Sequence, residues 1–238
     1  MCGLAGMLLF PTERTKAEWN KIRQLFTQTF VFNQERGREA SGLVRFERDG
    51  AFSLFKSPAP VTQLVMTREC QEILGAIGPQ TTCILGHTRM PTKGTPENNA
   101  NNHPLQADQV IGIHNGHIRN DDELFVRLDL PRAGQVDSEI IFRLLATLSP
   151  ARLNGTYLRS VLHRVQLLRG RFTALSVDLR RPSRLLAIKA DMPLCAHYHA
   201  PLPVLCFSSR YLFLRKAFGR AVVTEALPSQ HAYLFDAE

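Results

Sequence analysis

The chain opens MCGLAGMLLF, and the residue that invites chemistry is the second. Loss of Met1 would leave Cys2 with a thiol and a free α-amine on one residue. A cysteine attacks as its thiolate, with an ordinary pKa of about 8.5, so it needs a nearby base or a positive environment. A free α-amine titrates at about 8 and can serve as that base. The competing reading of Cys2 is the buried start of a strand. Acyl transfer also needs donors aimed at the oxygen that becomes negative in the tetrahedral intermediate. IGIHNGHI offers Asn115 and Gly116 at the end of an apolar strand, where a side-chain amide and a backbone N–H can converge. The same Asn-Gly pair also reads as a hairpin turn. Arg89, in GHTRMPTKG, stands at the mouth of a strand, and its planar fork suits a carboxylate. Asp137, in GQVDSEIIF, suits an ammonium group or the N-cap of a helix. Together an arginine and an aspartate of this kind describe an amino-acid site.

Other polar residues carry less. His197 and His199 in CAHYHAP lie two apart, on one side of a strand, but two ligands do not make a metal site, and no metal is expected. His87, His114 and His117 flank the candidate site and read equally as hydrogen-bonded core histidines. RGREASG lacks phosphate-loop spacing, so its glycines indicate a tight turn and no cofactor is implied.

The elements that must position these residues follow from periodicity. Residues 3–10 read as a buried strand and 16–33 as a helix. SGLVRFE and AFSLFK form a hairpin across Arg48, Asp49 and Gly50. A helix near 60–75 leads to the strand TTCILGHT, and residues 90–109, rich in Pro, Gly and Asn, form a long loop of the kind that is usually functional or disordered. The strand VIGIH then ends in an Asn115-Gly116 turn, with a helix from about Asp121. Helices at 137–148 and 154–168 precede strands at 172–178, 184–190 and 204–209, and a last pair lies near 221–224 and 232–235. Paired strands with helices grouped between them predict an antiparallel α+β layered fold.

At 238 residues and 44% apolar composition, the chain suits a globular protein with a sizeable core. No apolar run reaches the roughly 20 residues that span a bilayer, and no signal core follows the N-terminus, so no membrane association and a cytoplasmic location are expected. Five cysteines without a C-x-x-C pair indicate reduced thiols. The formal charge of +8 admits a nucleic-acid partner, but the basic residues are scattered and describe a basic surface better.

Read in order, MCGLAGM, RGREASG, GHTRMPTKGTPENNANNHPL, HNGHIRN and VDSEII resemble the class II glutamine amidotransferase domain, an N-terminal-nucleophile hydrolase. The later stretches LRGRFTALSVD and LLAIKADMPL are similar to that domain as well, so the likeness spans nearly all of residues 1–238, as one domain. It implies a four-layer αββα fold of antiparallel sheets. It implies that Cys2 is the nucleophile after Met1 removal, its amine the base, and Asn115 with the Gly116 N–H the oxyanion hole. Arg89 would hold the glutamine α-carboxylate and Asp137 its α-amino group. Thr92 and His103 would line or support the pocket, and Arg36 and Gly37 match the loop beside the nucleophile. The chain departs from the family in carrying Met90 where synthase-like members usually have an aromatic residue, and Lys93 where the best-known synthase has histidine.

The resemblance implies hydrolysis of the L-glutamine side-chain amide to glutamate and ammonia through a Cys2 γ-glutamyl thioester. As no synthase portion is matched, a separate ammonia-accepting enzyme subunit is the expected partner. The alternatives are an amidohydrolase acting on a γ-glutamyl conjugate, which would present the same amino-acid head, and a catalytically idle glutamine sensor.

Overall fold

The first strand, β1 (Gly3–Leu9), is buried at every residue, with Ala5, Met7 and Leu9 in one apolar cluster and Leu4 and Leu8 in another. Successive side chains of a strand point to opposite faces, so a strand apolar on both must be covered on both. In the computed structural model, which describes residues 2–150, 155–225 and 227–238, helices cover one face of β1 and a second sheet covers the other.

Helix α1 (Lys16–Phe32) starts at a capping box: Thr15 Oγ1 accepts from the Glu18 N–H, and the Glu18 carboxylate accepts from the Thr15 N–H. The hairpin is β2 (Ala40–Glu47) with β3 (Phe52–Ser57). The expected helix near 60–75 is split into α2 (Val61–Leu64) and α3 (Arg68–Gly75), because Thr67 caps the second by accepting from the Cys70 N–H. Strand β4 (Thr81–Arg89) leads into the long loop, which contains the short strand β5 (Leu105–Ala107). Then come β6 (Val110–Ile118) and the helices α4 (Asp121–Arg127), α5 (Glu139–Ala146) and α6 (Thr156–Val165). Position 154, where the last of these was expected to begin, lies outside the described residues. Strands β7 (Gly170–Asp178), β8 (Arg184–Lys189), β9 (Cys195–His199) and β10 (Val204–Ser208) precede helix α7 (Tyr211–Phe218) and strand β11 (His231–Asp236).

One sheet has the order β3-β2-β4-β1-β10-β9 and the other β11-β8-β7-β6-β5, with every neighbouring pair antiparallel. Three apolar clusters mark three interfaces between layers. Phe26 and Phe30 of α1 and Leu214 of α7 pack on the first sheet. Leu4, Leu85, Ile113, Leu175 and Phe207 fill the space between the sheets. Ile140 and Phe142 of α5 and Val161 of α6 cover the second sheet. The result is the α+β, four-layer αββα sandwich. Burial of each such Leu, Ile or Phe contributes about 1.5–3 kcal/mol, so these interfaces, rather than local propensity, fix the layer order.

Two sequence expectations need correction. Asn115 and Gly116 do not form a turn: β6 pairs with β7 without a break from Val110↔Asp178 to Ile118↔Gly170. An Asn-Gly hairpin requires its partner strand to follow at once, but α4 follows here and the partner β7 arrives some fifty residues later. Residues 221–224 form no strand, and only an isolated bridge between Ala196 and Glu225 lies near them. Strand β5 and helix α7 were not expected, and β9 is the strand on which His197 and His199 were read as lying two apart.

Candidate active site

The two-residue period of the strands places the site. Leu4 and Leu8 of β1 face the second sheet, and a Cβ added at Gly6 would meet Leu175 Cδ1 on β7 at 3.1 Å. Cys2 precedes β1 on the same parity. On β4, Cys83 and Leu85 face between the sheets and His87 and Arg89 continue that face. On β6, Ile111 and Ile113 are followed by Asn115 and His117, while Val177 and Leu175 of β7 are followed by Thr173 and Arg171. The apolar inter-sheet core therefore gives way at one end to polar side chains from both sheets. There a pocket of about 270 Å³ is lined by Cys2, Met90, Pro91, Thr92, Asn115, Gly116, His117, Arg171 and Met192.

Arg36 Nε donates to the Cys2 carbonyl at 2.7 Å and fixes the backbone that carries the thiol. Gly37 lies so close to β4 that an added Cβ would sit 2.4 Å from the Arg89 carbonyl carbon, so the loop beside the nucleophile admits no side chain there. The Cys2 sulfur is 3.5 Å from both the N–H and the carbonyl of Met90. Burial pushes the Cys2 thiol above the ordinary range, and the Met90 backbone and the nearby Arg89 charge only partly offset it. Such a thiol stays protonated at neutral pH, so a nucleophilic role demands a base. Met1, whose removal would expose the α-amine, lies outside the described residues.

Asn115 is fully buried on the pocket wall, and neither its Oδ1 nor its Nδ2 has a hydrogen-bond partner among the described residues. A buried amide left unpaired costs free energy and calls for an explanation, and a ligand atom in the pocket is one. Gly116 follows with φ of 132°, a conformation that favours glycine, and a Cβ there would meet the Arg171 carbonyl oxygen at 2.1 Å. A flat, closely packed strand thus turns the Asn115 amide toward the pocket.

The remaining expected residues stand around this wall. Thr92 lines the pocket. Arg89 is buried behind it, with NH1 donating to Asn102 Oδ1 at 2.8 Å and NH2 to the carbonyls of Lys93 and Gly94 at 2.7 and 2.8 Å. Its guanidinium thus frames the long loop. Lys93 ties the same loop to α4 through Asp121 and Asp122, at 2.6 and 2.8 Å, and Arg132 binds the same two carboxylates. Asp137 Oδ2 accepts from the Ile118 N–H at 2.6 Å and lies 3.3 Å from His117 Nδ1. Asp137 is therefore not the cap of α5, whose N-cap position is Ser138. His103 stacks on His87 with ring centroids 4.2 Å apart and has no hydrogen-bond partner on either nitrogen among the described residues. His114 Nδ1 meets Ser138 Oγ at 2.9 Å, and His87 Nε2 meets the His114 carbonyl at 2.8 Å. These three histidines support the site from below rather than lining it.

His197 and His199 lie away from the pocket and pack on Phe218. Among the described residues no group of three or more His, Cys, Asp or Glu is placed to hold a metal ion, and no helix is long and apolar enough to cross a membrane. The pocket residues that motif reading did not assign are Pro91, Arg171 and Met192. The signal for Arg171 was period two: continuing the inter-sheet face of β7 beyond Leu175 and Thr173 reaches it.

No family model matches the chain. Among curated proteins it is 28% identical over 201 residues to glutamine--fructose-6-phosphate aminotransferase (isomerizing) of Shigella flexneri, covering 82% of this chain. It is 29% identical over 197 residues to the protein of that name from Yersinia pseudotuberculosis. The chain spans only 29% of the length of these relatives. Among solved structures, the glutamine phosphoribosylpyrophosphate amidotransferase of B. subtilis aligns with a TM-score of 0.69 at 16% identity, over 100% of this chain and 49% of that one. The chain has the fold of a class II glutamine amidotransferase domain. A glutamine aminotransferase class-II domain protein from Silicibacter pomeroyi aligns over 99% of both chains with a TM-score of 0.56 at 13% identity. In this amidotransferase fold, the Cys2 pocket opens at the end of the inter-sheet cleft.

Proposed function

We propose that the protein hydrolyses the side-chain amide of L-glutamine, with Cys2 as nucleophile. The observation that carries the reading is the buried, unpartnered Asn115 amide on the wall of the pocket that also contains Cys2. Once Met1 is removed, the α-amine of Cys2 takes the thiol proton and the thiolate attacks the δ-carbonyl carbon. Asn115 Nδ2 and the Gly116 N–H stabilise the oxyanion, which replaces the missing hydrogen bonds of the buried amide. The amine returns the proton to the leaving nitrogen, ammonia departs and a γ-glutamyl thioester forms. Water, activated by the same amine, then attacks the thioester and releases glutamate and free Cys2. Arg89 receives the substrate α-carboxylate through the N–H groups that it does not give to the loop, Asp137 receives the ammonium, Thr92 lines the pocket, and His103 supports the loop. Arg36 and Gly37 hold the nucleophile's backbone.

Ammonia passes to a separate acceptor enzyme in this reading. Intact-mass measurement should give a chain beginning at Cys2, and a glutamine-mimicking diazo ketone should label that residue alone. Retained Met1 in active protein, or activity that survives Cys2→Ala, would sink the mechanism.

A further inference from the structure

The loop after β4 is pinned at its base by one side chain of β3. Lys56 Nζ donates to the carbonyls of Asn102 and Pro104 at 2.7 and 3.0 Å, on either side of His103, and the Lys56 carbonyl accepts from Asn99 Nδ2 at 2.9 Å. The loop comes this close because Gly42, the cross-strand partner of Lys56 on β2, has no side chain: a Cβ there would lie 2.3 Å from the His103 carbonyl oxygen. Asn102 carries the pin inward. Its Oδ1 accepts from Arg89 NH1, and its Nδ2 donates to the Pro96 carbonyl and to Asn99 Oδ1 at 2.7 and 3.1 Å. Arg89 in turn holds the carbonyls of Lys93 and Gly94, next to Thr92, Pro91 and Met90 on the pocket wall. One path of hydrogen bonds therefore runs from Lys56 to the residues that line the site.

We propose that Lys56 is a positioning residue for glutamine hydrolysis: its protonated amine holds Asn102, and through it Arg89 and the pocket loop, in the arrangement that binds substrate. This role rests on the glutamine reading above and deepens it by adding a control on substrate uptake. Hydrogen bonds from a charged donor are roughly twice as strong as neutral ones, so the pin weakens when the amine loses its proton. Burial, together with the Arg89 charge, holds that amine down to about 8, and the Glu139 carboxylate on α5 opposes the shift. His103, in the loop beside it, is kept neutral at this pH by burial. Lys56 is thus charged at pH 7 and largely neutral at pH 9, whereas an exposed lysine, titrating at about 10.4, keeps its charge across that range. An arginine in its place stays charged throughout.

The test follows KM and kcat for L-glutamine from pH 7 to 9 on enzyme shown by mass to begin at Cys2. Lys56→Met should raise KM about fivefold or more at pH 7 with kcat within about threefold, as for loss of a charged donor that acts on binding. Lys56→Arg should keep the wild-type KM at pH 7. The wild-type KM should climb relative to that of Lys56→Arg as the pH rises through 8, a comparison that cancels ionisation of the substrate ammonium and of the Cys2 amine. Amide exchange over residues 90–104 at pH 7 should be faster in Lys56→Met than in the other two proteins. If Lys56→Met does not fold, the pH comparison of wild type with Lys56→Arg carries the test alone. An unchanged KM in folded Lys56→Met, or parallel pH profiles for wild type and Lys56→Arg, overturns the role of Lys56 while hydrolysis itself stands. Wild-type protein that starts at Cys2 yet neither hydrolyses glutamine nor accepts the diazo ketone overturns the glutamine reading, whereas unchanged exchange over 90–104 in Lys56→Met overturns the pin whatever the activity.

Discussion

Asn115 is where the physical case is strongest, because a fully buried amide with neither atom partnered is a cost that folding alone does not offset. If its purpose is to meet an oxyanion, Asn115→Ala should lower kcat by about 10²–10³ with little change in KM, as for loss of one preorganised donor. The same substitution should leave stability unchanged or slightly raised, since it removes an unpaired buried group. A large loss of stability with kcat intact would make Asn115 a structural residue. Cys2 provides a complementary argument. Its thiol is pushed up by burial, so neither the Arg89 charge nor the Met90 backbone can activate it unaided. Acetylating the α-amine should therefore silence the enzyme even though the thiol remains. That outcome can be read from the rate of glutamate release by protein whose N-terminus is modified.

At the scale of the elements, β6 positions the site by continuing where the sequence suggests a stop. Gly116 makes this continuation feasible, with its φ of 132° and the Arg171 carbonyl 2.1 Å from any added Cβ. Gly116→Ala should cost about 2 kcal/mol or more in denaturant unfolding, whereas Gly75→Ala at the open end of α3 should change stability by less than about 1 kcal/mol. Equal midpoints for the two variants would contradict the strain argument. The loop after β4 is held by Lys93 on the buried Asp121 and the exposed Asp122, and the second of these pairs is too exposed to matter much for global stability. Asp122→Asn should consequently leave the melting temperature nearly unchanged while raising KM for glutamine several-fold, an effect that fades in high salt as screening weakens the wild-type clasp. Much of this was legible in the sequence, because β1, α1, β2 and β4 announce themselves by period and caps. Strand β5 is three residues long and hidden in a Pro-, Gly- and Asn-rich loop, so it has too few residues to show a period. Helix α7 has Gly219 in a left-handed conformation as its stop signal but no side-chain cap at its start, which blurred it. The hydrogen bonds of the Arg89 guanidinium to the loop were not legible either, since two of its three acceptors are backbone carbonyls whose positions depend on the tertiary fold.

The whole molecule adds a condition that no element carries alone: three histidines from β4, β6 and the long loop are buried together beneath the site. Burial holds His87 down to about 3, His103 well below its ordinary value and His114 in the same direction. In the unfolded chain each returns to about 6.5. Between those values the unfolded state binds more protons than the folded one, so stability is intact above about pH 6.5 and falls as the pH drops toward 3. For His87 alone, acidification from pH 6.5 to 5 should remove about 1.6 kcal/mol, and the other two histidines act with the same sign. Carboxylates do not contribute in that window, because Asp and Glu stay largely ionised in both states above pH 5. Lys56, which donates to the carbonyls of Asn102 and Pro104, is lowered to about 8 by burial, so the unfolded chain also takes up more protons between about 8 and 10.5. The buried thiols act the other way: Cys70 and Cys206 are pushed up to about 12 and Cys83 in the same direction, so they keep protons that the unfolded chain loses near 8.5, and on balance stability should fall as the pH rises above about 9. Urea unfolding at pH 5, 6.5, 8 and 10 measures both slopes, and a flat profile between 5 and 6.5 would show that the histidines are charged in the native state. The same stack that keeps the loop behind Cys2 in place would then be the first part of the fold to fail in acid.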